Sequence, residues 1–335
     1  GWEISTFKDE NRWDMLALVR EEYGNVDRTE GAYFDWLRQR RPPDLPQRVV
    51  RDRATGRVLT SSTRVAVHAS WRGEEIPVML GFDIVVAKAY RRQGIHTKLI
   101  AQSEEDTRKA GYRFTSIFPN QNSMPQLVRS DKHHLVSQVP LVIRPLDIRV
   151  LTRSNVGNPI LRWGINQGWD LASGTLWPER HLSNGDLSLV VVEDSELDES
   201  YDRFWEEVKS KHDLWLVRDR AFLQWRFIDI PTREYRILSA RRDSRILGYI
   251  VLRQASIRGI MTGLIADFLV LPGERGDQAG HRLVYEALQR FKQTNLALTG
   301  GLMLPHTQEY AIMRRGGYLN APDRFAPQPF HLVVR

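Results

Sequence analysis

Apolar and polar positions along the 335-residue chain fall into strand-like and helix-like runs, and the order of those runs occurs twice. In the first half WEISTF predicts a short strand. ENRWDMLALVREEYG follows as an amphipathic helix, with Trp13, Leu16, Leu18 and Val19 near helical spacing. A second helix, GAYFDWLRQR, stops at Pro42–Pro43, because proline lacks the N–H that would continue it. Three strand-like runs come next: QRVVRD, RVLTSSTRVAVHAS and IPVMLGFDIVVA. The basic stretch YRRQGIHTKL then opens a helix that ends near Gly111. RFTSIFPN predicts a strand, SMPQLVRS a short helix, and HLVSQVPLVI one apolar strand.

The second half repeats this order. LSLVVVED is the strand, SYDRFWEEVKSKH the helix, and RDRAFLQWRF a second helix closed by Pro231. EYRILSA, RILGYIVLRQ and GIMTGLIADFLVL are the strands. PGERGDQAG predicts a loop into the helix HRLVYEALQRFKQ, whose Leu283, Val284, Ala287, Leu288 and Phe291 share one face. LALTGGLML, the helix QEYAIMRRGG and the strand PFHLVVR finish the chain. The halves match in detail at GFDIVV (81–86) and IADFLV (265–270), both Asp-x-x-Val at the end of a long strand. The pattern predicts two tandem copies of one mixed α/β domain, residues 1–145 and 187–335. Residues 146–186 form a partly helical linker between them. Trp13, Trp36, Trp205 and Trp225 fall at matched places on helix faces and are expected in the core.

Composition narrows the function. An apolar fraction of 41% with ten tryptophans supports buried cores. The absence of cysteine excludes disulfides, thiolate metal sites and thiol nucleophiles. No apolar run reaches the ~18 residues of a membrane span, and the N-terminal stretch lacks the apolar core of a signal peptide, so a cytoplasmic protein without a membrane partner is expected. The net charge of +7 is dispersed. It suits an anionic cofactor or an acidic acyl carrier protein. With no run of like charges, nucleic acid is not an expected partner. No histidine pair has metal-ligand spacing beside carboxylates, and no metal is expected.

The loop at residues 90–99 carries the candidate chemistry. A helix N-terminus offers backbone N–H groups without intrahelical partners and a partial positive charge. A tight loop containing Gly94 would aim those donors at a phosphate, with Arg91, Arg92 and Lys98 adding charge. Gly-x-Gly-x-x-Gly and the Walker lysine pattern are both absent. The apolar strand with Asp83-x-x-Val86, followed by Tyr90-Arg91-x-x-Gly94 opening a helix, resembles the acyl-CoA signature of the GNAT (Gcn5-related N-acetyltransferase) superfamily. The order of elements in both halves resembles that fold too: an α/β architecture with a mixed, mostly antiparallel sheet flanked by helices. The signature usually ends on a small residue, and here that position is His96.

The resemblance implies that acetyl-CoA or another acyl-CoA is the donor substrate and an amine the acceptor; a small-molecule amine is expected first, and an amino sugar, an amino acid, an antibiotic or a protein lysine would all fit. It implies that backbone N–H groups across Arg91, Arg92, Gln93, Gly94, Ile95, His96 and Thr97 hold the pyrophosphate. It further implies that the strand end Ile84, Val85 and Val86 pairs with the pantetheine, and that Asn120 and Asn122 touch the CoA arm. The second copy, ERGDQAGH, lacks the central glycine and adds Asp277, and is expected to be degenerate for CoA.

Acyl transfer to an amine needs a proton acceptor and donors at the thioester oxygen. Asp83 stands three residues before Val86, as a base or amine anchor, or else as a structural acid. His133 and His134 lie near the place where family members keep an acid tyrosine, which is missing here. Adjacent strand residues point to opposite faces, so at most one of these histidines faces the site. The two readings are an N-acyltransferase active in the N-terminal copy and a non-catalytic CoA-binding or regulatory module.

Overall fold

The computed structural model describes residues 1–120, 123–128, 132–176, 188–294, 296–322, 326 and 328–335. The first half contains β1 (Trp2–Thr6), α1 (Arg12–Tyr23), α2 (Gly31–Gln39), β2 (Arg48–Asp52), β3 (Val58–Trp71), β4 (Glu74–Val86), α3 (Ile95–Lys109), β5 (Thr115–Ile117), α4 (Met124–Val128), β6 (His134–Gln138) and β7 (Leu141–Pro145). α5 (Ile148–Asn155) and α6 (Pro159–Leu176) follow. The second half runs β8 (Val190–Asp194), α7 (Ser200–Val208), β9 (Leu214–Leu216), α8 (Arg220–Leu223) with a π-helical extension over Gln224–Ile228, β10 (Arg236–Arg242), β11 (Arg245–Ile257), β12 (Ile260–Val270), α9 (Glu274–Gln293), β13 (Leu298–Leu302), α10 (Gln308–Arg315), β14 (Leu319–Asn320) and β15 (His331–Val334).

Two twisted sheets result, mixed and mostly antiparallel, with helices on their faces. The long antiparallel strands meet through two-residue turns in which both residues take positive φ, Arg72–Gly73 between β3 and β4 and Arg258–Gly259 between β11 and β12. That left-handed geometry matches the strands' twist, and glycine at the second position adopts it without strain. Each sheet has one parallel pair, β4 with β5 and β12 with β13, at the same place in the repeat.

The sheets do not coincide with the halves of the chain. HLVSQVPLVI, expected as one strand, is split at Val139–Pro140, where proline offers no ladder donor. β6 stays in the first sheet. β7 crosses to the second and lies between β13 and β14. In return, β15 enters the first sheet between β5 and β6. The first sheet therefore reads β1-β2-β3-β4-β5-β15-β6, and the second β14-β7-β13-β12-β11-β10-β8. β9, which the hydrophobic pattern did not reveal, pairs with β3 of the other half through Ala69–Leu216, Ser70–Trp215 and Trp71–Leu214.

Side chains reinforce this junction. Trp36 of α2 and Trp225 of the π-helical turn stack with centroids 4.7 Å apart and planes 11° from parallel, and Trp36 Nε1 donates to the Trp225 carbonyl at 2.8 Å. These are matched residues of the two copies, so the contact joins a residue to its own counterpart in the repeat. Tyr33, Leu37, Val65, Val67 and Val78 from the first half and Ile230 from the second complete one shared core. Asp27 ion-pairs with Arg233, which holds the Asp27 carboxyl below its ordinary range against the opposing effect of burial.

Two expectations need correction. Trp36, Trp205 and Trp225 are buried, but Trp13 is 69% exposed, with the Arg12 guanidinium 4.6 Å over its ring. α1 buries Met15, Leu16, Leu18 and Val19, and Trp13 lies about 200° around the helix from Met15. PGERGDQAG is not a loop either. α9 starts at Glu274, with Gly273 at φ 83° as its N-cap and Glu274 and Asp277 favourably placed at the positive end of the helix.

Truncation of Trp36 to alanine is expected to cost about 3–5 kcal/mol in urea unfolding, as for other buried tryptophans. In a double-mutant cycle with Trp225→Ala the coupling should be about 1 kcal/mol. Strictly additive losses would show that the stack contributes nothing of its own.

Candidate functional site

The site begins where β4 and β5 part. They pair only at Met79–Thr115 and Leu80–Ser116, and beyond these the strands diverge. Gly81 sits at the parting. A Cβ there would lie 2.7 Å from Ile117 Cγ2, so only glycine lets that side chain lie across the strand. On its other edge β4 bulges: Phe82 pairs with Thr63 and Val85 with Ser61, leaving Asp83 and Ile84 opposite the single residue Ser62. The bulge turns Ile84 toward α3 while Val85 packs on Leu18 and Val19 beneath α1.

After β4 the chain takes a 3-10 turn at Lys88–Tyr90 and then an exposed loop to α3. Arg92 and Gly94 both have left-handed backbones, φ 63° and 73°, and Gly94 is the N-cap of α3 with no side chain to satisfy its first turn. Alternating backbone of this kind makes a concave nest of N–H groups, here at the positive end of a 15-residue helix. Space around Gly94 is open, so its requirement is conformational and not one of packing. Arg91 donates to the Val86 carbonyl at 3.0 Å and ion-pairs with Glu22, which fixes the loop against α1. Gln93 Nε2 donates to the Ala89 carbonyl.

Beneath α3 and α4 lies a cavity of about 210 Å³ that opens from this cleft. β3 contributes Ser62 and Arg64, β4 contributes Gly81 and Ile84, and α3 contributes His96, Thr97, Ile100 and Glu104. Thr115, Ile117, Leu127, His133 and Arg335 close it. Burial brings the Arg64 guanidinium down to about 10, with Glu104 pulling the other way. Burial likewise raises Glu104, which ion-pairs with Arg335. His96 is lowered by burial and then by Arg64. His133 is lowered to about 4 by burial, with Arg335 and His96 adding to the effect. His96 Nε2 and His133 Nδ1 are buried and have no hydrogen-bond partner among the described residues.

The sequence-based candidates are thus only partly assembled. Ile84, His96, Thr97 and His133 line the cavity, and the Arg91–Ile95 loop stands at its entrance. Asp83 occupies the bulge, but its side chain lies outside the described part. His134, exposed on β6, faces elsewhere, as the alternation of strand side chains requires. Asn120 caps α4, its Oδ1 accepting from the Ser123 N–H at 3.0 Å; Asn122 lies outside the described residues. Arg64, Glu104 and Arg335 were not anticipated. The available signals were an arginine inside the apolar run of β3 and a glutamate four residues after Ile100 on the buried face of α3.

The second copy fills the equivalent place. β12 and β13 remain paired over four positions, Thr262–Leu298 to Ile265–Gly301. Glu309 accepts from the Val270 N–H at 3.1 Å and from Lys211 Nζ at 2.6 Å, so a buried carboxylate occupies the strand end that matches Val86. Asp267, the counterpart of Asp83, is held by Arg218 at 3.1 Å and the Tyr249 hydroxyl at 2.9 Å. Only Leu271–Gly273 separate β12 from α9, against Ala87–Gly94 in the first copy. α9 packs so close that a Cβ on Gly276 would meet the Leu271 carbonyl at 1.7 Å. Among the described residues, no group of three His, Asp or Glu could hold a metal ion, and no helix is long and apolar enough to cross a membrane.

A sheet that parts beside a helix N-terminus, within an order of elements that occurs twice in one chain, defines an acyltransferase fold of the GNAT kind. The sequence agrees: the acetyltransferase (GNAT) domain model matches residues 3–130, and the acetyltransferase (GNAT) family model matches residues 195–309. The chain belongs to the GNAT superfamily, with two GNAT-fold regions in tandem. No curated protein sequence matches it. Among solved structures it is similar to a GCN5-related N-acetyltransferase from Anabaena variabilis, with TM-score 0.67 and 11% identity, over 100% of this chain and 72% of that one. It is also similar to Saccharomyces cerevisiae N-myristoyltransferase with bound myristoyl-CoA, with TM-score 0.65 and 13% identity, over 99% of this chain and 82% of that one. A probable N-acyltransferase from Enterococcus faecalis gives TM-score 0.66 at 10% identity, over 99% of this chain and 72% of that one. At such identities the likeness is one of fold.

His133 supplies a pH test. Its folded value of about 4 lies below the ordinary 6.5, so between these values the unfolded chain binds the extra proton. The histidine's penalty is absent above pH 6.5 and grows as pH falls toward 4. Relative to His133→Gln, the wild type is expected to lose stability across that window, with the His133 NMR titration centred near 4. A midpoint near 6.5 and parallel stability curves would remove the buried environment assigned to it.

Proposed function

We propose that this protein is an acyl-CoA-dependent N-acyltransferase whose active site lies in the N-terminal copy, at the parting of β4 and β5. The observation that carries this reading is the conjunction of a parted strand edge with a nest of backbone donors at the start of α3. The loop from Arg91 to Thr97 would hold the pyrophosphate, and the edge of β4 from Ile84 to Val86 would pair with the pantetheine amides. Backbone N–H groups at the bulge are suited to the thioester oxygen, where negative charge develops as the amine adds.

In the reaction the lone pair of a neutral amine forms the C–N bond, and the C–S electron pair leaves with sulfur. One nitrogen proton passes to a base and one equivalent reaches the thiolate, giving an amide and free CoA thiol. Of the three candidate catalytic residues, His134 is outside the cavity. His133, lowered to about 4, holds a proton too weakly to serve well near neutrality. Asp83, on the bulge itself, is assigned the base or amine-anchoring role. The closed strand end and short loop of the second copy favour a structural role there, shaping the cleft for the acceptor. The same thioester could be delivered on an acyl carrier protein, and the dispersed positive charge suits either donor.

Titration calorimetry with CoA and acetyl-CoA is expected to show binding to the wild type and none to Gly94→Glu, whose side chain brings negative charge and a left-handed backbone that glutamate resists. Asp83→Asn should keep CoA affinity and lower thiol release with an amine panel by about a hundredfold or more. Unchanged CoA binding in Gly94→Glu would refute the loop assignment. CoA binding without any amine-dependent thiol release would favour a non-catalytic CoA-binding module.

A further inference from the structure

We propose that the acyl group of the donor ends in a carboxylate, and that Arg64 is the residue that selects it. The proposal rests on reading the loop and cleft above as the donor site, and it names the class of donor: a thioester of a short dicarboxylic acid.

The cavity runs along α3 away from the loop. It touches His96 and Thr97 in the first turn of α3 and reaches Glu104 two turns on, about 12 Å along the helix axis. A donor anchored at the start of α3 and threaded between β4 and β5 meets this space next. Its volume of about 210 Å³ is far more than an acetyl group fills. Ile84, Ile100, Ile117 and Leu127 suit methylenes. Elsewhere on the wall Arg64, Glu104 and Arg335 carry charge, which a simple alkyl chain cannot satisfy.

Those charges do not cancel. Glu104 is taken up by Arg335. Arg64 has no ion pair among the described residues: its guanidinium donates to Thr107 Oγ1 at 3.1 Å, and the nearby Asp106 is bound by Arg48 at 2.6 Å. Both cavity histidines are pushed toward the neutral form by their surroundings. Two guanidiniums and one carboxylate leave a single uncompensated positive charge on a cavity wall. Glu104 and Asp106 offset part of the cost of burying this guanidinium without making contact, and one carboxylate from a ligand, in direct contact, would relieve more of it. The geometry suits that pairing, since guanidinium presents a planar fork to carboxylate. His96 Nε2 and His133 Nδ1, unpartnered on the same wall, offer further polar contacts. The chemistry of transfer is unaltered: the thioester carbonyl moves to the amine, CoA leaves as the thiol, and the distal carboxylate stays ionised throughout.

The test compares succinyl-CoA with butyryl-CoA, whose acyl chains are of equal length and differ by a terminal carboxylate against a methyl group, with free CoA as reference. Calorimetry on the wild type is expected to show succinyl-CoA binding at least about tenfold more tightly. Arg64→Gln should abolish that preference and leave CoA affinity within about twofold, while Arg64→Lys keeps part of it. Equal affinity of the wild type for the two thioesters would overturn the proposal without any variant. So would a preference that survives in Arg64→Gln whose circular dichroism matches the wild type. Failure of CoA itself to bind the wild type would instead bring down the donor-site reading and this inference with it. CoA binding without discrimination sinks the inference alone.

Discussion

Exchange of strands between the two halves is the constraint on which the rest of the structure depends. β7 belongs by sequence to the first half and by hydrogen bonding to the second sheet; β15 makes the reverse journey. Each sheet therefore uses the other half's strand as part of its interior, where backbone groups must be paired. The stacked Trp36 and Trp225 and the short strand β9 lie on the same junction. Domains in tandem usually meet through modest, separable interfaces. Here separation would open both sheets, so the relative placement of the two copies is fixed by the ladders themselves.

Against that shared frame the copies have taken opposite courses at one point. In the first, β4 and β5 part after two pairs, and the chain spends Ala87–Gly94 on a nest before α3 begins. In the second, β12 and β13 pair only one position further, to Ile265–Gly301, but the connection shrinks to Leu271–Gly273, and Glu309 with Lys211 supplies from within the protein the hydrogen bonds that a ligand could make. Asp267 is bound by Arg218 and Tyr249 into a buried network, which is how a structural acid is retained. One frame thus supports an open cleft and a closed one, the difference being a few residues at a strand end.

Much of the fold was legible because it rests on local periodicity. The long hairpins β3–β4 and β11–β12 and the apolar face of α9 follow directly from the spacing of Val, Ile and Leu. Strand exchange was not legible, because no residue of HLVSQVPLVI records which sheet its ends will join; only Pro140 hinted at a break. Trp13 misled because its size was weighed above its angle on the helix. At the site, the Arg91–Thr97 loop was readable since nest chemistry is contiguous in sequence. The cluster of Arg64, Glu104, His133 and Arg335 was not, since it is gathered from β3, α3, the segment before β6 and the residue after β15. Asn120, expected at the CoA arm, accepts from the Ser123 N–H through its Oδ1 at the start of α4.

The late arrival of β15 also governs how the protein must be made. Residues 331–334 pair with β5 and β6, about two hundred positions upstream, and loop closure over such a span is slow relative to the hairpins that need no long-range partner. During synthesis the first sheet emerges with a gap between β5 and β6, an exposed pair of strand edges that must wait for the second half to fold. The cavity wall that includes Arg335 is built in the same event. An incompletely synthesised chain therefore lacks both a closed sheet and a finished pocket, and its open edges are the natural target of chaperones and proteases.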